Sequence, residues 1–435
     1  MLGMLWPRVL SLICFFTSVN AKTHHDHFGT TYLYVIWTHI FLQVTVWLVM
    51  FPVAMVLGLR GSRWYVPLQS LGCALTMLGY VLGYTHGGRS YHSASHRNNA
   101  LFLLVPLITH LVLAIYLRYQ PQESIKPSRK WLDRTHGILG KLLPVLGWVQ
   151  VLVGVATFGG YCRGDNAEQC TLYYTAGSGL LAYGIVLAIV ILSGEAWIVR
   201  SSESPEWWES WVVLAGGVVN LGLAVEDRAF LVPGVLWLLA GAASLFFAKD
   251  NNRTAMPSIV IIVTAWTCTQ HGQELAIYSK MHAAFGFTLL AAGGARLLEV
   301  LLLKPKYVSP SDVHDTTYGW QANENVRRLR NLARPLLYLP PFLFMCSGFL
   351  ALGSTDEGIT YIHQRGVDLQ TYIFLIYTAA LLLYGKIAAL VWLYHHCGDE
   401  LDSDRNNDAV ELTSKGYVRI PTGDRDGDED GDGAM

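Results

Sequence analysis

Apolar runs of about twenty residues recur along this chain, and they constrain its fold more than any other feature. A helix needs roughly 20 consecutive apolar residues to cross the hydrocarbon core of a bilayer. The chain is also 52% hydrophobic and 14% charged over 435 residues, which leaves too few polar side chains to cover a soluble globule of this size. We therefore predict an all-α, polytopic helical membrane protein.

These runs predict about eleven membrane-spanning helices. They cover residues 33–58, 66–84, 99–118, 135–158, 173–198, 211–225, 229–248, 257–271, 281–303, 335–353 and 369–396. The run at 211–225 is short, so a re-entrant segment is the alternative there. Ahead of the first span, residues 1–21 have a short apolar core and end in small residues, which is typical of a cleaved signal peptide. An uncleaved anchor is the alternative and leaves the later topology unchanged.

Basic residues divide unequally between alternate loops. The loops assigned to the cytosol hold about twice as many Lys and Arg residues as the loops assigned to the other side. This excess predicts an exoplasmic N-terminus and a cytosolic C-terminus, in the plasma membrane or another membrane of the secretory pathway. The lipid bilayer is the expected partner. The net charge of −1 gives no indication of a nucleic-acid partner.

Composition divides the chain into five predicted parts. They are the signal peptide at 1–21, a His-rich exoplasmic N-terminus at 22–32, a membrane domain of five helices at 33–200, a second membrane domain of about six helices at 201–397, and an acidic tail at 398–435. The tail is rich in Asp and Gly and lacks large apolar side chains, so we expect it to be disordered and cytosolic.

Cysteines and charges give further local predictions. Cys162 and Cys170 share one exoplasmic loop, where a disulfide is expected to form. Arg296 and Glu299 are three residues apart in one span and are expected to pair on one helical face. Acidic residues are absent from the middle of the predicted spans, which argues against a proton-coupled carrier.

Histidines are the strongest candidates for a functional site. The stretch from Thr85 to His110 contains four of the fifteen histidines, and imidazole is the commonest metal and haem-iron ligand. Two ligands of one haem must lie on different helices at a similar depth, because the iron sits between them. His39 on the first span and His96 on the third both lie toward the outer leaflet. We therefore predict that they form one ligand pair.

The other buried histidines fit this scheme less well. His136 lies at the inner edge of the fourth span, where its depth-matched neighbour on the second span is Gln69. Glutamine is not an ordinary haem ligand, so an inner haem at His136 needs an unusual partner. His110 is about 20 Å deeper than His96 along its helix, too deep for the outer pair and, by this count, too shallow for His136.

Further histidines near the exoplasmic side are candidates to bind a metal ion such as copper, zinc or iron. They are His24, His25, His27, His86, His92, His271 and His282. For the N-terminal group and the loop histidines, a solvated segment without a metal is the alternative. For the pair formed by His271 and His282, capping of helix ends is favoured over a shared site.

Several motifs resemble a known family. A histidine in the first span is followed by PVAMVLGLRGSRW, and the fourth span opens THGILG and ends GWVQVLVG. These look like the cytochrome b561 and ferric-reductase-like transmembrane core, which implies two bis-histidine haems held by alternating helices. The second half adds MPSIVIIVTAWTCTQHGQELAIYSKMHAAFGF and LPPFLFMCSGFLALGSTDEG. Residues 30–395 as a whole resemble the fungal family named "yeast putative transmembrane protein", whose first half is a b561-like domain of unknown function.

The sequence departs from that family at positions where histidine is expected. Tyr173 and Tyr174 stand at the start of one span, and Asp227 stands after another. Two functions therefore stay open. The first is a b561-like electron carrier or metalloreductase with one haem b in the outer leaflet, which requires a small electron donor and a metal-ion acceptor. The second is a non-enzymatic membrane protein, such as a metal-binding protein, transport accessory or organiser, that binds no haem.

Overall fold

The computed structural model describes residues 30–85, 94–119, 127–162, 167–193, 204–224, 231–249, 252–270, 276–302 and 334–414. In these ranges all regular secondary structure is helical, which confirms the predicted all-α class. The signal peptide and the His-rich N-terminus at 22–29 lie outside the described residues.

Thirteen α-helices are present in the described ranges. They are α1 (Thr30–Thr45), α2 (Phe51–Leu59), α3 (Tyr65–Thr85), α4 (Ala94–Tyr119), α5 (Pro127–Gly159), α6 (Ala167–Ser193), α7 (Pro205–Leu223), α8 (Leu231–Phe247), α9 (Met256–Thr269), α10 (Ala276–Leu302), α11 (Leu339–Leu352), α12 (Asp356–Gln364) and α13 (Leu369–Ser414). A 3₁₀ turn at Arg334–Tyr338 precedes α11. The last helix continues beyond residue 397, where we expected the disordered tail to begin.

Seven helical segments of the described chain are long and apolar enough to cross a membrane. The number is eight when α11 and α12, which meet at an angle of 82°, are counted as one span. Each predicted span overlaps a helix, but α8 and α9 have only 17 and 14 residues. The protein is thus a multi-pass membrane protein, while the count of about eleven spans and their orientation stay predictions.

The first span contains a π-helical turn at Val46–Met50, which joins α1 to α2. Pro52 follows in the first turn of α2 and has no N–H to donate, so the regular ladder of hydrogen bonds is interrupted here. The N–H of Phe51 instead bonds to the carbonyl of Val46, five residues earlier.

Four spans form the N-terminal bundle, which we define as α1–α2, α3, α4 and α5. The α1–α2 span packs against α3 and α5, and α4 packs against the same two helices. Val46, Trp47, Leu107 and Leu143 are buried in its middle. The spans α1–α2 and α4 therefore face each other across the bundle interior.

The second half is organised around α11, which packs against α6, α10 and α13. Gly177 and Gly348 allow α6 and α11 to touch, since a Cβ on either glycine would lie less than 3.0 Å from the other's carbonyl oxygen. The helices α7 and α8 form a closely packed antiparallel pair beside α9. The two halves meet where α13 contacts α2. Although α6 falls inside the predicted first domain, its main packing partners lie in the second half.

Candidate functional site

His39 and His96 meet inside the N-terminal bundle. The centroids of the two imidazole rings are 6.3 Å apart, and the ring planes stand at 85°. His39 lies on α1, and His96 lies in the first turn of α4, so each ring approaches from one of the two opposed spans. The structure thus brings together the two residues whose pairing was predicted from membrane depth.

The ring of His39 lies on a strip of glycines on α3. Its Nδ1 is 2.6 Å from the carbonyl oxygen of Gly79, and a Cβ on Gly83 would lie only 2.8 Å from His39 Cε1. A carbonyl oxygen can only accept, so Nδ1 carries the ring proton and the lone pair of neutral His39 is on Nε2. A protein group that holds one ring nitrogen in this way is typical of metal-ligating histidines.

The ring of His96 is held by α5. Gln150 Nε2 lies 3.1 Å from His96 Nδ1 and 3.0 Å from the main-chain oxygen of His96. One turn later, a Cβ on Gly154 would lie 3.1 Å from His96 Cε1. Ligation through Nε2 requires the ring proton on Nδ1, which Gln150 can accept only if its amide turns over and gives up the hydrogen bond to the His96 main-chain oxygen.

The separation of these rings fits a metal bound between them. Each metal–imidazole bond is about 2.0 Å and each ligating nitrogen lies about 1 Å from its ring centre, so opposed ligands place their ring centroids about 6 Å apart. The observed 6.3 Å agrees with this value. His39 and His96 therefore have the spacing of a bis-histidine haem or of a single metal ion with opposed ligands.

A second set of polar rings, here called the Tyr65 cluster, consists of Tyr65, His110 and His136. The two imidazoles are stacked, with centroids 4.1 Å apart and planes within 3° of parallel. The Tyr65 hydroxyl lies 3.1 Å from His110 Nε2 and 3.0 Å from His136 Nε2. His110 also covers Gly140, where a Cβ would lie 3.0 Å from its Cε1. The stacked rings leave no room for a metal or a porphyrin between them.

The prediction that His110 is too shallow to meet His136 is wrong. We expected the fourth span to begin at residue 135, but α5 begins at Pro127. His110 lies nine residues before the end of α4 and His136 nine residues after the start of α5, so both reach the same depth. Pro127 was the usable signal, because proline is favoured in the first turn of a helix.

Tyr65 was also missed. The sequence predicted Gln69 as the neighbour of His136 on the second span, but Tyr65, one turn earlier on α3, makes the contact. Tyrosine is not an ordinary haem ligand and was therefore not predicted here, but the phenol of Tyr65 lies within reach because α3 begins at that residue.

A short polar chain lies between the two levels. Gln43 Nε2 donates to the Thr76 carbonyl over 3.1 Å, and Trp47 Nε1 donates to Gln43 Oε1 over 3.2 Å. His96 and His110 are fourteen residues apart on α4, which corresponds to about 21 Å along the helix. The His39–His96 pair and the Tyr65 cluster are therefore separate sites.

His282 on α10 is bonded at both ring nitrogens. Its Nδ1 lies 3.0 Å from the carbonyl oxygen of Tyr278, and its Nε2 lies 2.5 Å from the hydroxyl of Tyr173 on α6. Its expected partner, His271, lies outside the described residues. Tyr173 is one of the positions where the resembled family places histidine, so the phenol now contacts the imidazole that a second histidine would face.

Cys162 and Cys170 are joined in a disulfide, as the sequence predicted. Cys162 has φ = 62°, which few residues other than glycine adopt. Its backbone N–H donates to Glu357 Oε2 over 2.7 Å. The disulfide loop is therefore fastened to the first turn of α12.

Charged groups form a buried cluster in the second half. The predicted pairing of Arg296 with Glu299 is confirmed, and Arg296 also bonds to Glu206 and Glu209 on α7. Arg253 adds a second guanidinium, 2.6 Å from Glu206. Ser204 caps α7 and places both of its glutamates in the buried first turns. Since neither partner of a buried pair can be removed without leaving an unpaired charge, this cluster fixes how α7 and α10 pack.

The other predicted metal ligands are not placed by the structure. His24, His25, His27, His86 and His92 lie outside the described residues, as His271 does. Among the residues that are described, no group of three or more His, Cys, Asp or Glu side chains has an arrangement that could hold a metal ion.

Comparisons with known proteins agree with the predicted resemblance. Residues 21–120 match the family described as "Domain of unknown function (DUF2427)", and residues 234–395 match "Protein YTP1-like, C-terminal". The chain is 28% identical over 306 residues to "Protein YTP1" of Saccharomyces cerevisiae, a match that covers 66% of this chain and 62% of that protein. The match thus spans less than two thirds of that relative. No solved structure matches the chain.

Proposed function

We propose that this multi-pass membrane protein, a distant homologue of yeast Protein YTP1, is a b561-like transmembrane electron carrier or metalloreductase with a single haem b. The observation that carries the proposal is the His39–His96 pair. Its rings stand 6.3 Å apart across the bundle, which is the spacing of two ligands on one iron. A bound haem would supply one-electron chemistry between the ferric and ferrous states of its iron.

The residues around the pair bind and orient the ligands. The Gly79 carbonyl fixes the ring proton of His39 on Nδ1, so that Nε2 would be the ligating nitrogen. Gln150 contacts His96 Nδ1 and its main-chain oxygen from α5 and would hold that ring in position. Trp37 packs edge-on against Phe158 with ring centroids 5.7 Å apart, and this contact helps to exclude water from the same end of the bundle.

The exoplasmic histidines supply the acceptor side of this proposal. His24, His25, His27, His86 and His92 would gather a metal ion near the end of the bundle that holds the His39–His96 pair. Imidazole binds copper, zinc and iron, and of these copper and iron can accept an electron. A small reductant is the corresponding donor.

The proposal is tested by the absorbance spectrum of the protein purified in detergent. We expect a sharp b-type α band in the reduced-minus-oxidised difference spectrum of the wild type. The band should disappear in His39→Ala and in His96→Ala, and it should persist in His363→Ala, which removes an exposed histidine of α12. A folded wild-type protein without the band would refute the proposal.

One observation favours a non-enzymatic function instead. The stacked rings of the Tyr65 cluster do not fit a second haem, and the bundle then offers one candidate redox site within its described residues rather than two across the membrane. Under this alternative the protein retains the fold as a metal-binding, transport-accessory or organising protein without haem. The same spectrum decides, because the alternative requires that no α band is present.

A further inference from the structure

The hydrogen bonds of the Tyr65 cluster restrict where its protons can be. The Tyr65 hydroxyl has one proton, yet it lies within hydrogen-bond distance of Nε2 on both His110 and His136. It can donate to only one of them, so the other Nε2 must carry a proton and donate to the Tyr65 oxygen. Two neutral histidines in this arrangement are therefore opposite tautomers.

The remaining ring nitrogens are unpartnered. Nδ1 of His110 and Nδ1 of His136 are both buried and make no hydrogen bond to protein. One of them bears a proton with no acceptor, and the other has a lone pair with no donor. A buried polar atom without a hydrogen-bond partner destabilises the folded protein. The two Nδ1 atoms therefore point to a ligand that forms a hydrogen bond with each of them. The ligand that can both accept from the orphan N–H and donate to the orphan lone pair is a water molecule.

We propose that the Tyr65 cluster is a proton-exchange site, in which Tyr65 passes a proton between the two imidazoles. The stack at 4.1 Å excludes a metal between the rings, while the shared hydroxyl connects them. This inference does not depend on haem at the His39–His96 pair, which is about 21 Å away along α4.

The exchange is balanced in atoms and charge. A proton binds to the lone pair of His136 Nδ1, and the N–H bond at His136 Nε2 breaks as its proton passes to the Tyr65 oxygen. The original Tyr65 proton passes to His110 Nε2, and the N–H bond at His110 Nδ1 breaks as its proton passes to a water molecule, the acceptor that the proposal requires at this position. One proton enters and one leaves, no oxidant or reductant is required, and the product is the mirror image of the starting tautomers.

The surroundings give the site a direction. His136 is partly exposed, and Asp133, which is exposed, lies one turn before it on α5. His110 is only 4% exposed. Among the described residues, the buried thiol of Cys73 on α3 is a further titratable group near Tyr65. Protons are thus expected to arrive at His136, the more exposed of the two rings, and to leave at His110.

The experiment uses full-length protein with isotope-labelled histidine in lipid vesicles and records ring-nitrogen signals by solid-state NMR. Signals of His110 and His136 are assigned by their loss in His110→Asn and His136→Asn. In the wild type we expect each ring to show signals broadened by exchange between its two tautomers. Tyr65→Phe should give sharp signals of a single tautomer per ring. Tyr84→Phe, which changes an exposed tyrosine of the same helix, should behave like the wild type.

Two results would overturn the proposal. One is sharp, single-tautomer signals in the wild type that do not change in Tyr65→Phe. The other is a haem content that falls in His136→Asn, since that would make His136 an iron ligand. The first result does not bear on the His39–His96 pair, whose haem is measured independently by the variants of those two residues.

Discussion

The His39–His96 pair and the Tyr65 cluster use the same side chain in the same bundle, but their geometry differs. The first pair has perpendicular rings with centroids 6.3 Å apart, while the second has parallel rings at 4.1 Å. In the first, protein groups hold Nδ1 of each ring from opposite sides of the bundle. In the second, one hydroxyl lies against Nε2 of both rings and draws them together.

This difference shows that the neighbours of a histidine decide its chemistry. A group that binds Nδ1 makes Nε2 the nitrogen that would bind a metal. A hydroxyl that binds Nε2 occupies the ligand position and suits proton transfer. Two histidines at matched depth are therefore necessary for a metal site but not sufficient.

The sharpest contrast is between two histidines of α4. His96→Ala removes one proposed ligand, so we expect complete loss of haem. His110→Ala removes a member of the Tyr65 cluster and should leave the haem content unchanged. Haem per protein is measured from the pyridine haemochrome spectrum of each purified variant. Haem retained in His96→Ala, or lost in His110→Ala, would erase the distinction between the two sites.

A smaller effect is expected when His39 is displaced rather than removed. In Gly83→Ala the new Cβ would lie 2.8 Å from His39 Cε1, so the ring must move. Overpacking of this kind costs about 1–3 kcal/mol, which corresponds to a loss of haem affinity of up to about 100-fold. The control is Gly137→Ala on α5, since no atom lies within 4 Å of a Cβ at Gly137. Haem titration should give equal affinities for the control and the wild type.

A smaller loss of haem affinity is expected when the side chain that supports His96 is removed. Gln150→Leu deletes the hydrogen bonds to His96 Nδ1 and to its main-chain oxygen. Loss of a group that orients a metal ligand costs about tenfold or more in affinity. Tyr65→Phe is the comparison, because it alters the Tyr65 cluster alone and should bind haem like the wild type. Equal affinities in all three proteins would show that Gln150 does not position His96.

The smallest effect is expected at the Tyr65 cluster. A Cβ introduced by Gly140→Ala would lie 3.0 Å from His110 Cε1, a contact that a shift of a few tenths of an ångström relieves. We expect a loss of about 1 kcal/mol in unfolding free energy, with no change in haem affinity. Thermal unfolding in detergent measures the first quantity and haem titration the second. Gly179→Ala, where a Cβ meets no atom within 4 Å, serves as the control.

The depth of a residue along a helix could be predicted from the sequence, and matched depth was enough to predict that His39 and His96 are neighbours. The same count failed for His110 and His136 because it depended on where α5 begins. Charged and polar residues at 127–134 concealed the first turns of that helix, since hydropathy marks the membrane and not the end of the helix. An error of eight residues at one helix start hid the second pair.

Partners from other helices could not be predicted. Tyr65, Gln150 and Gly79 act on histidines that are between 40 and 71 residues away in the sequence, and no local pattern marks them. The same is true of Glu206 and Glu209, which meet Arg296 from α7. Hydrogen bonds of this kind depend on the rotation of each helix about its axis, which packing sets.

The sequence by itself therefore determined that the chain lies in a membrane, where most of its helices run, and that the histidines of α4 occupy two levels. These properties follow from local composition and from a fixed rise per residue. Only the tertiary structure decided which rings face each other, at what separation, and which atom of each ring is held. Those properties depend on lateral contacts between helices, and each such contact is made by residues far apart in the chain.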